Sequence, residues 1–414
     1  MPSFSGLILV VAVGFGAPFV LGLFPKVRLP SVVIEIVAGI IIGQSVLGWV
    51  EVDQTIEVMS VLGLGFLLFL SGLEIDFHKL RGKVLRLTSV AYALSFGIAI
   101  VVGLGLKGLD LVDTPLLIAI ILAATSLGVI IPVLKDAGEI SSTFGQLVVG
   151  AGSIADFGAI ILLSIFFSGE GGTGATLLLI ACVFAIAIAL FFVLRGAQRS
   201  RLVMADLVRQ QDTTAQIRVR AAIVLLVGFA SLAQAFGLEV ILGTFAAGAV
   251  LTLVDDEQRT MTHPHFREKL EAIGFGFLIP IFFVTTGVRY DLDALLDDPS
   301  NLVMVPIFLL ALVLVRGLPA LLYRGQIDGR RVLIAGLFQS TSLPFIVAAT
   351  AIGIELGLID AAASAALIAA GLLSVLIFPA LGLALLRGAP PVPGEPSGPP
   401  PEPEEGEPQP MMAM

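Results

Sequence analysis

Charged side chains are sparse in this chain. Asp, Glu, Lys and Arg make up 13% of its 414 residues, against roughly 25% in a soluble globular domain, while apolar residues reach 57% and the mean hydropathy is +1.04. The natural solvent of such a chain is lipid. Cysteine occurs once, as Cys182 inside an apolar run; a single thiol excludes an internal disulfide and argues against a metal site there. No basic stripe is present, so nucleic acid is not an expected partner. The net charge of -9 says little about partners, because Glu395, Glu402, Glu404, Glu405 and Glu407 crowd the C-terminal end. The first apolar stretch follows Met1-Pro2-Ser3-Phe4 with no basic leader or Ala-x-Ala-like cleavage site, and reads as a retained span.

What is present is a series of long apolar runs. A spanning helix needs about 20 mostly apolar residues, and reading between charge and turn clusters gives thirteen candidates. They cover 6–24, 31–48, 55–72, 84–106, 115–134, 143–168, 174–194, 216–236, 239–254, 269–288, 301–323, 329–354 and 360–387. Basic residues test their order, because Lys and Arg concentrate on the cytoplasmic side. With the N-terminus outside and the C-terminus inside, 20 of the 23 basic residues fall in inner segments; only Lys107 and Arg289 fall outside, and Arg316 lies within a span. A wrong helix count would scramble this alternation. Residues 388–414 are rich in Pro and Glu and cannot bury a core, which predicts a disordered cytoplasmic tail. The basic loop at about 195–215 reads as an amphipathic linker.

The halves echo one another. Gly72-Leu73-Glu74-Ile75-Asp76 and Gly287-Val288-Arg289-Tyr290-Asp291 are offset by 215, Thr125-Ser126-Leu127 and Thr341-Ser342-Leu343 by 216, and Ala38-Gly39 and Ala247-Gly248 by 209. Spans 1–6 then match 8–13, with span 7 (174–194) as linker. The first span runs inward and the eighth outward, so the repeat is inverted, an architecture of secondary transporters with their site near the midplane. Two interrupted helices fit this. Thr125-Ser126-Leu127-Gly128 precedes Pro132, and Gln339-Ser340-Thr341-Ser342-Leu343 precedes Pro344. Proline removes a donor and clashes with the carbonyl four residues back, and freed backbone at membrane depth survives only where it is buried or lines a cavity.

Two charges lie where lipid should not hold them. Asp156 sits mid-span in Gly150-Ala151-Gly152-Ser153-Ile154-Ala155-Asp156. An Asp at a helix centre costs about 2.5–3.5 kcal/mol on insertion scales, so it must face the bundle interior or a wet cavity. Burial disfavours a carboxylate's charge; a group so poised holds a proton or a dehydrated cation, never both, and exchange follows. Ser153, Thr125 and Ser126 are its candidate co-ligands, with Gln339, Ser340, Thr341 and Ser342 supplied by the second interruption. The competing reading is a structural Asp bonded to a hydroxyl. Arg316 either snorkels to the inner face or pairs with Asp156 or a helix-break carbonyl when the ion is absent. Because Arg does not deprotonate, Asp156 is the only deep titrating group, and counting favours electroneutral exchange. Glu35 and Glu74 lie near the cytoplasmic face and read as structural charges paired with Lys or Arg, as does Asp76. Glu239 and Glu355 read as outer-rim residues. His78, His263 and His265 fall in inner loops, too slight a set for a metal site.

At these residues the chain resembles the monovalent cation:proton antiporter-2 family, which shares the fold of NhaA-type Na+/H+ antiporters. The matching segments are Val33-Ile34-Glu35-Ile36-Val37-Ala38-Gly39-Ile40, Phe69-Leu70-Ser71-Gly72-Leu73-Glu74-Ile75-Asp76, Ala124-Thr125-Ser126-Leu127-Gly128-Val129 and Leu278-Ile279-Pro280-Ile281-Phe282-Phe283-Val284. The resemblance covers about residues 6–387. It implies an all-α membrane protein of thirteen transmembrane helices, inverted six-helix repeats and two crossing broken helices. It further implies a dimerisation part (about 6–72 and 216–288), a core part (about 84–168 and 301–387), a homodimer in the inner membrane, an ion-binding Asp156 and a basic partner at Arg316. The transported partners would be Na+ or K+ and H+, with no cofactor and no enzymatic activity. The chain departs from the family at Ala155, where the family often has Asn, Asp or Gln. The rivals are a sodium-coupled solute symporter of the same fold, a cation channel, for which a filter-like segment is lacking, and an intramembrane aspartyl protease, for which a second facing aspartate is lacking.

Overall fold

In the computed structural model, the described residues are 4–23, 30–74, 82–167, 172–198, 213, 215–256 and 264–386. Among them every regular element is helical. The helices are α1 (Ser5–Leu23), α2 (Ser31–Ile42), α3 (Gln54–Leu73), α4 (Gly82–Gly108), α5 (Pro115–Leu122), α6 (Leu127–Asp136), α7 (Thr143–Phe167), α8 (Gly172–Gln198), α9 (Ile217–Ala235) and α10 (Val240–Asp256). There follow α11 (Pro264–Ile273), continued through a π turn (Gly274–Leu278) into α12 (Ile279–Val288), then α13 (Leu292–Leu296), and α14 (Pro299–Leu312), continued through a π turn (Val313–Gly317) and a 3-10 segment (Leu318–Gly325). The last are α15 (Gly329–Gln339), α16 (Pro344–Glu355) and α17 (Ala361–Leu386). Asp76, His78 and His263, most of the 195–215 linker and the 388–414 tail lie outside the described residues.

Ten of these segments are long and apolar enough to cross a membrane, and three shorter apolar helices accompany them, Ser31–Ile42, Leu177–Val193 and Val240–Leu253. Large apolar side chains such as Phe15, Phe19, Val101 and Val224 are exposed, the reverse of a soluble protein's surface and the expected state of a lipid-facing one.

The second span is shorter than its sequence predicts. The apolar run continues to Gly48, but α2 stops at Ile42, with Gly43 as its C-cap and Gly48 at φ +62 in the turn that follows. Gly43 lies against the Val288 backbone of α12, where a side chain would have no room. The hairpin between α9 and α10 turns at Gly237, whose φ of +67 favours glycine.

Helix approach follows the small residues. A Cβ on Gly39 of α2 would collide with the Val284 carbonyl and Gly287 of α12, and one on Gly248 of α10 would collide with the Phe69 carbonyl and Gly72 of α3. These contacts correspond under the sequence offsets between the halves, since Gly39 matches Gly248 and Gly72 matches Gly287. Small residues let backbones meet where lipid supplies no hydrophobic drive between helices. α2 thus packs on α12 and α10 on α3, while α4 packs on α5 and α7, and α17 on α14, α15 and α16.

Candidate functional site

Both interrupted helices appear at the expected threonine–serine segments. The first break separates α5 from α6 over 123–126, and the second separates α15 from α16 over 340–343. Pro344 stands at the first turn of α16, where its missing N–H is not needed. Pro132 does not mark the first break: it lies inside α6, and what it removes is the donor for the Gly128 carbonyl. That break is held across the crossing. The Ser126 amide donates to the Thr341 carbonyl at 2.8 Å, and the Thr125 hydroxyl donates to the Gln339 carbonyl at 2.7 Å. Each strand satisfies orphan groups of the other, which is why extended backbone survives at this depth. The C-terminal ends of α5 and α15 and the N-terminal ends of α6 and α16 meet here, so partial charges of both signs lie side by side.

Asp156 projects from α7 beside this crossing. It is half-buried, whereas Ser153 and Ala155 are buried, and its carboxylate is within hydrogen-bonding reach of the Thr125 amide. The small residues of α7 make the approach possible: Gly152 faces the Leu127 side chain of α6, and Gly158 faces the Tyr92 ring of α4.

Arg316 does not snorkel. It is 1% exposed, within the π turn, a distortion that re-aims a side chain out of α-helical register. Its Nε donates to the Thr125 hydroxyl at 2.8 Å, its Nη1 to the Ser95 hydroxyl at 3.2 Å and its Nη2 to the Ala151 carbonyl at 3.3 Å. The Tyr92 ring lies 5.9 Å from the guanidinium carbon. Asp156 feels the Arg316 charge, yet no ion pair joins them among the described residues; the three hydrogen bonds of the guanidinium all go to neutral oxygens.

The remaining candidates divide. Ser340 and Thr341 donate their hydroxyls to carbonyls one turn back, Gly336 at 2.7 Å and Leu337 at 3.4 Å. Ser342 is held through its backbone: its amide donates to the Ser374 hydroxyl at 3.1 Å, and that hydroxyl has the Ser342 carbonyl at 3.0 Å and the Gly371 carbonyl at 2.7 Å as acceptors. Gln339 is 1% exposed, with the Tyr323 hydroxyl beside its amide group; the Ser153 and Ser342 hydroxyls are buried and unpaired. Such groups mark a site for an ion or water. Glu35 is buried against Ser31, at a distance from the crossing in a cavity of about 240 Å³ beside α1. Glu74 faces Arg267 at 3.8 Å.

Sequence reading did not single out Tyr92 and Ser95 on α4 or Ser374 on α17. A hydroxyl within an otherwise apolar helix was the available signal, but small polar residues are frequent in membrane helices and do not stand out singly.

The description "Sodium/hydrogen exchanger, transmembrane" matches residues 10–386. The chain belongs to that exchanger family. It is therefore a multi-pass membrane protein of a transporter family, not an enzyme. YjbQ of Bacillus subtilis (strain 168) is 32% identical over 392 residues, covering 91% of this chain and 62% of that protein. The Na(+)/H(+)-K(+) antiporter GerN of Bacillus cereus is 27% identical over 271 residues, covering 64% of this chain and 67% of GerN. The chain thus spans less than two thirds of the length of YjbQ. In fold, the exchanger resembles the sodium proton antiporter MjNhaP1 from Methanocaldococcus jannaschii, with a TM-score of 0.68 at 17% identity, covering 92% of this chain and 97% of that one.

Proposed function

We propose that this exchanger swaps a monovalent cation, Na+ or K+, for protons by alternating access, with Asp156 binding either H+ or the cation. The observation that carries the reading is the position of the half-buried Asp156 beside two interrupted helices that satisfy one another's backbone. The unpaired hydroxyls of Ser153 and Ser342 and the buried amide of Gln339 supply further ligands. A cation displaced from water needs several oxygens, and a proton needs one. The same carboxylate serves both, and competition couples the fluxes.

Further features support this reading. Cavities of about 730 Å³ and 530 Å³ lie on either side of the crossing, the first reaching Ser126 and Pro344 and the second bordered by Glu57, Thr285, Arg289 and Glu355. Both lie between α3 or α12 on one side and α16 or α17 on the other, where a core part would rock against a dimerisation part. Ten long and three shorter apolar helices agree in number with thirteen spans. In this reading, 6–72 and 216–288 form the dimerisation part of a homodimer, 84–168 and 301–387 the moving core, and the N-terminus lies outside the inner membrane. Arg316, tied to three neutral oxygens, serves as a fixed charge that holds the crossing, so one titrating carboxylate gives electroneutral exchange.

The test is dissipation of a pH gradient in proteoliposomes on addition of Na+, K+ or Li+. Wild type is expected to respond to at least one cation without moving net charge, and Asp156→Asn to none. Full exchange by Asp156→Asn refutes the site, and robust electrogenic transport refutes the stoichiometry.

A further inference from the structure

The 730 Å³ cavity runs from Ser126 and Pro344 at the crossing to Ser31, Glu74 and Ala384 at helix ends on one side of the membrane. Glu74 is the only charged side chain among its described lining residues. It follows directly on α3 as its C-cap residue, and its side chain is 15% exposed. Sequence reading assigns it a structural pairing, and the geometry makes that pairing incomplete. Arg267 lies 3.8 Å from Glu74 but bonds Glu271 at 2.7 Å, and is itself 44% exposed. The charges of Arg267 and Lys135 favour an ionised Glu74, and that of Glu271 opposes it.

We infer that Glu74 is a second cation site, a capture point at the mouth of this cavity that holds the alkali ion before it reaches Asp156. The inference rests on Asp156 being the exchange site. A carboxylate in a cleft with low-dielectric walls focuses its field and raises the local concentration of counter-ions. A cation leaving bulk water keeps most of its hydration in a cavity of this size. Glu74 compensates its charge along a path otherwise lined mainly by apolar side chains and ending at the buried Ser126. Arg267 works against capture, because it offers Glu74 a competing counter-charge.

That opposition supplies the test. Half-saturating Na+ and K+ concentrations for dissipation of a pH gradient are measured in proteoliposomes at low ionic strength for wild type, Glu74→Gln, Glu74→Asp and Arg267→Gln. A unit charge acting across about 8 Å is worth roughly twofold in concentration in water and more than tenfold at an effective dielectric of about 20. Glu74→Gln is therefore expected to raise the half-saturating concentration severalfold, with a smaller change in maximal rate. Glu74→Asp is expected to restore it, and Arg267→Gln to lower it. The differences should shrink when choline chloride is added, because salt screens exposed charges. A purely structural ion pair predicts shifts of the same sign in Glu74→Gln and Arg267→Gln; that result, or no shift in either, overturns the inference. Should Glu74→Gln fail to give a monodisperse protein, the sign of the Arg267→Gln shift decides alone. Asp156→Asn, run in parallel, is expected to be inactive. Exchange by that variant overturns the Asp156 reading, whatever Glu74 does.

Discussion

Thr125 is the position at which the crossing is most easily interrogated. Its hydroxyl accepts from the Arg316 Nε at 2.8 Å and donates to the Gln339 carbonyl at 2.7 Å. Thr125→Val keeps shape and volume but removes both bonds. Losing a bond to a buried charge costs about 1.5–3 kcal/mol, and losing a neutral one about 0.5–1.5 kcal/mol, so the variant should lose roughly 2–4.5 kcal/mol. Thr125→Ser keeps the oxygen and gives up one methyl, about 0.8 kcal/mol. The assay is thermal unfolding of purified protein in detergent, followed by size-exclusion chromatography, with exchange measured beside it. Thr125→Val is expected to melt at least several degrees below wild type and to exchange poorly, and Thr125→Ser to stay close to wild type in both. Equal stability of Thr125→Val and wild type would show that the hydroxyl does not hold Arg316 and the second break together.

Gly39→Ala is expected to lower yield and melting temperature, because the added carbon meets the Val284 carbonyl of α12 and overpacking costs about 1–3 kcal/mol; Gly97→Ala, with nothing within 4 Å, should be neutral or slightly stabilising in the same assay. Glu239, in the hairpin before α10, has its carboxyl held above the usual range by burial and then by the Glu355 charge. Its ionisation therefore opposes folding: the penalty is absent below the ordinary carboxylate value near 4.5 and grows as pH rises through the higher folded value. Glu239→Gln should melt above wild type at pH 8.5 and with it at pH 4, and a stabilisation that is the same at both would refute the electrostatic cause. Ser374→Ala removes the hydroxyl that holds the Ser342 backbone at 3.1 and 3.0 Å, and is expected to reduce exchange more than stability, read as the ratio of transport rate to folded protein.

The two helix breaks were legible because their segments combine Thr and Ser with a matching position in the other half. At the second break Pro344 stands where the sequence suggests, as the first residue of a half-helix. At the first, Pro132 is a poor guide, since it lies within α6 and the interruption depends on bonds donated to a strand more than 200 residues away. The end of α2 was misread for a related reason. Hydropathy continues to Gly48, but α2 ends at Ile42, where Gly43 packs against the Val288 backbone of α12.

Arg316 shows the same division. Its depth followed from its place in an apolar run, but its partners did not, for they lie 191, 221 and 165 residues away on three other elements. Hydropathy is a local sum along the chain, so sequence alone determined that this protein lives in lipid, roughly where its apolar helices run, and that Asp156 falls within one of them. Which polar groups meet depends on the rotation and crossing of helices set by packing, Gly39 on Gly287 and Gly72 on Gly248 among them. Only the tertiary structure decided that Arg316 binds neutral oxygens at the crossing and leaves the Asp156 carboxylate without an ion pair.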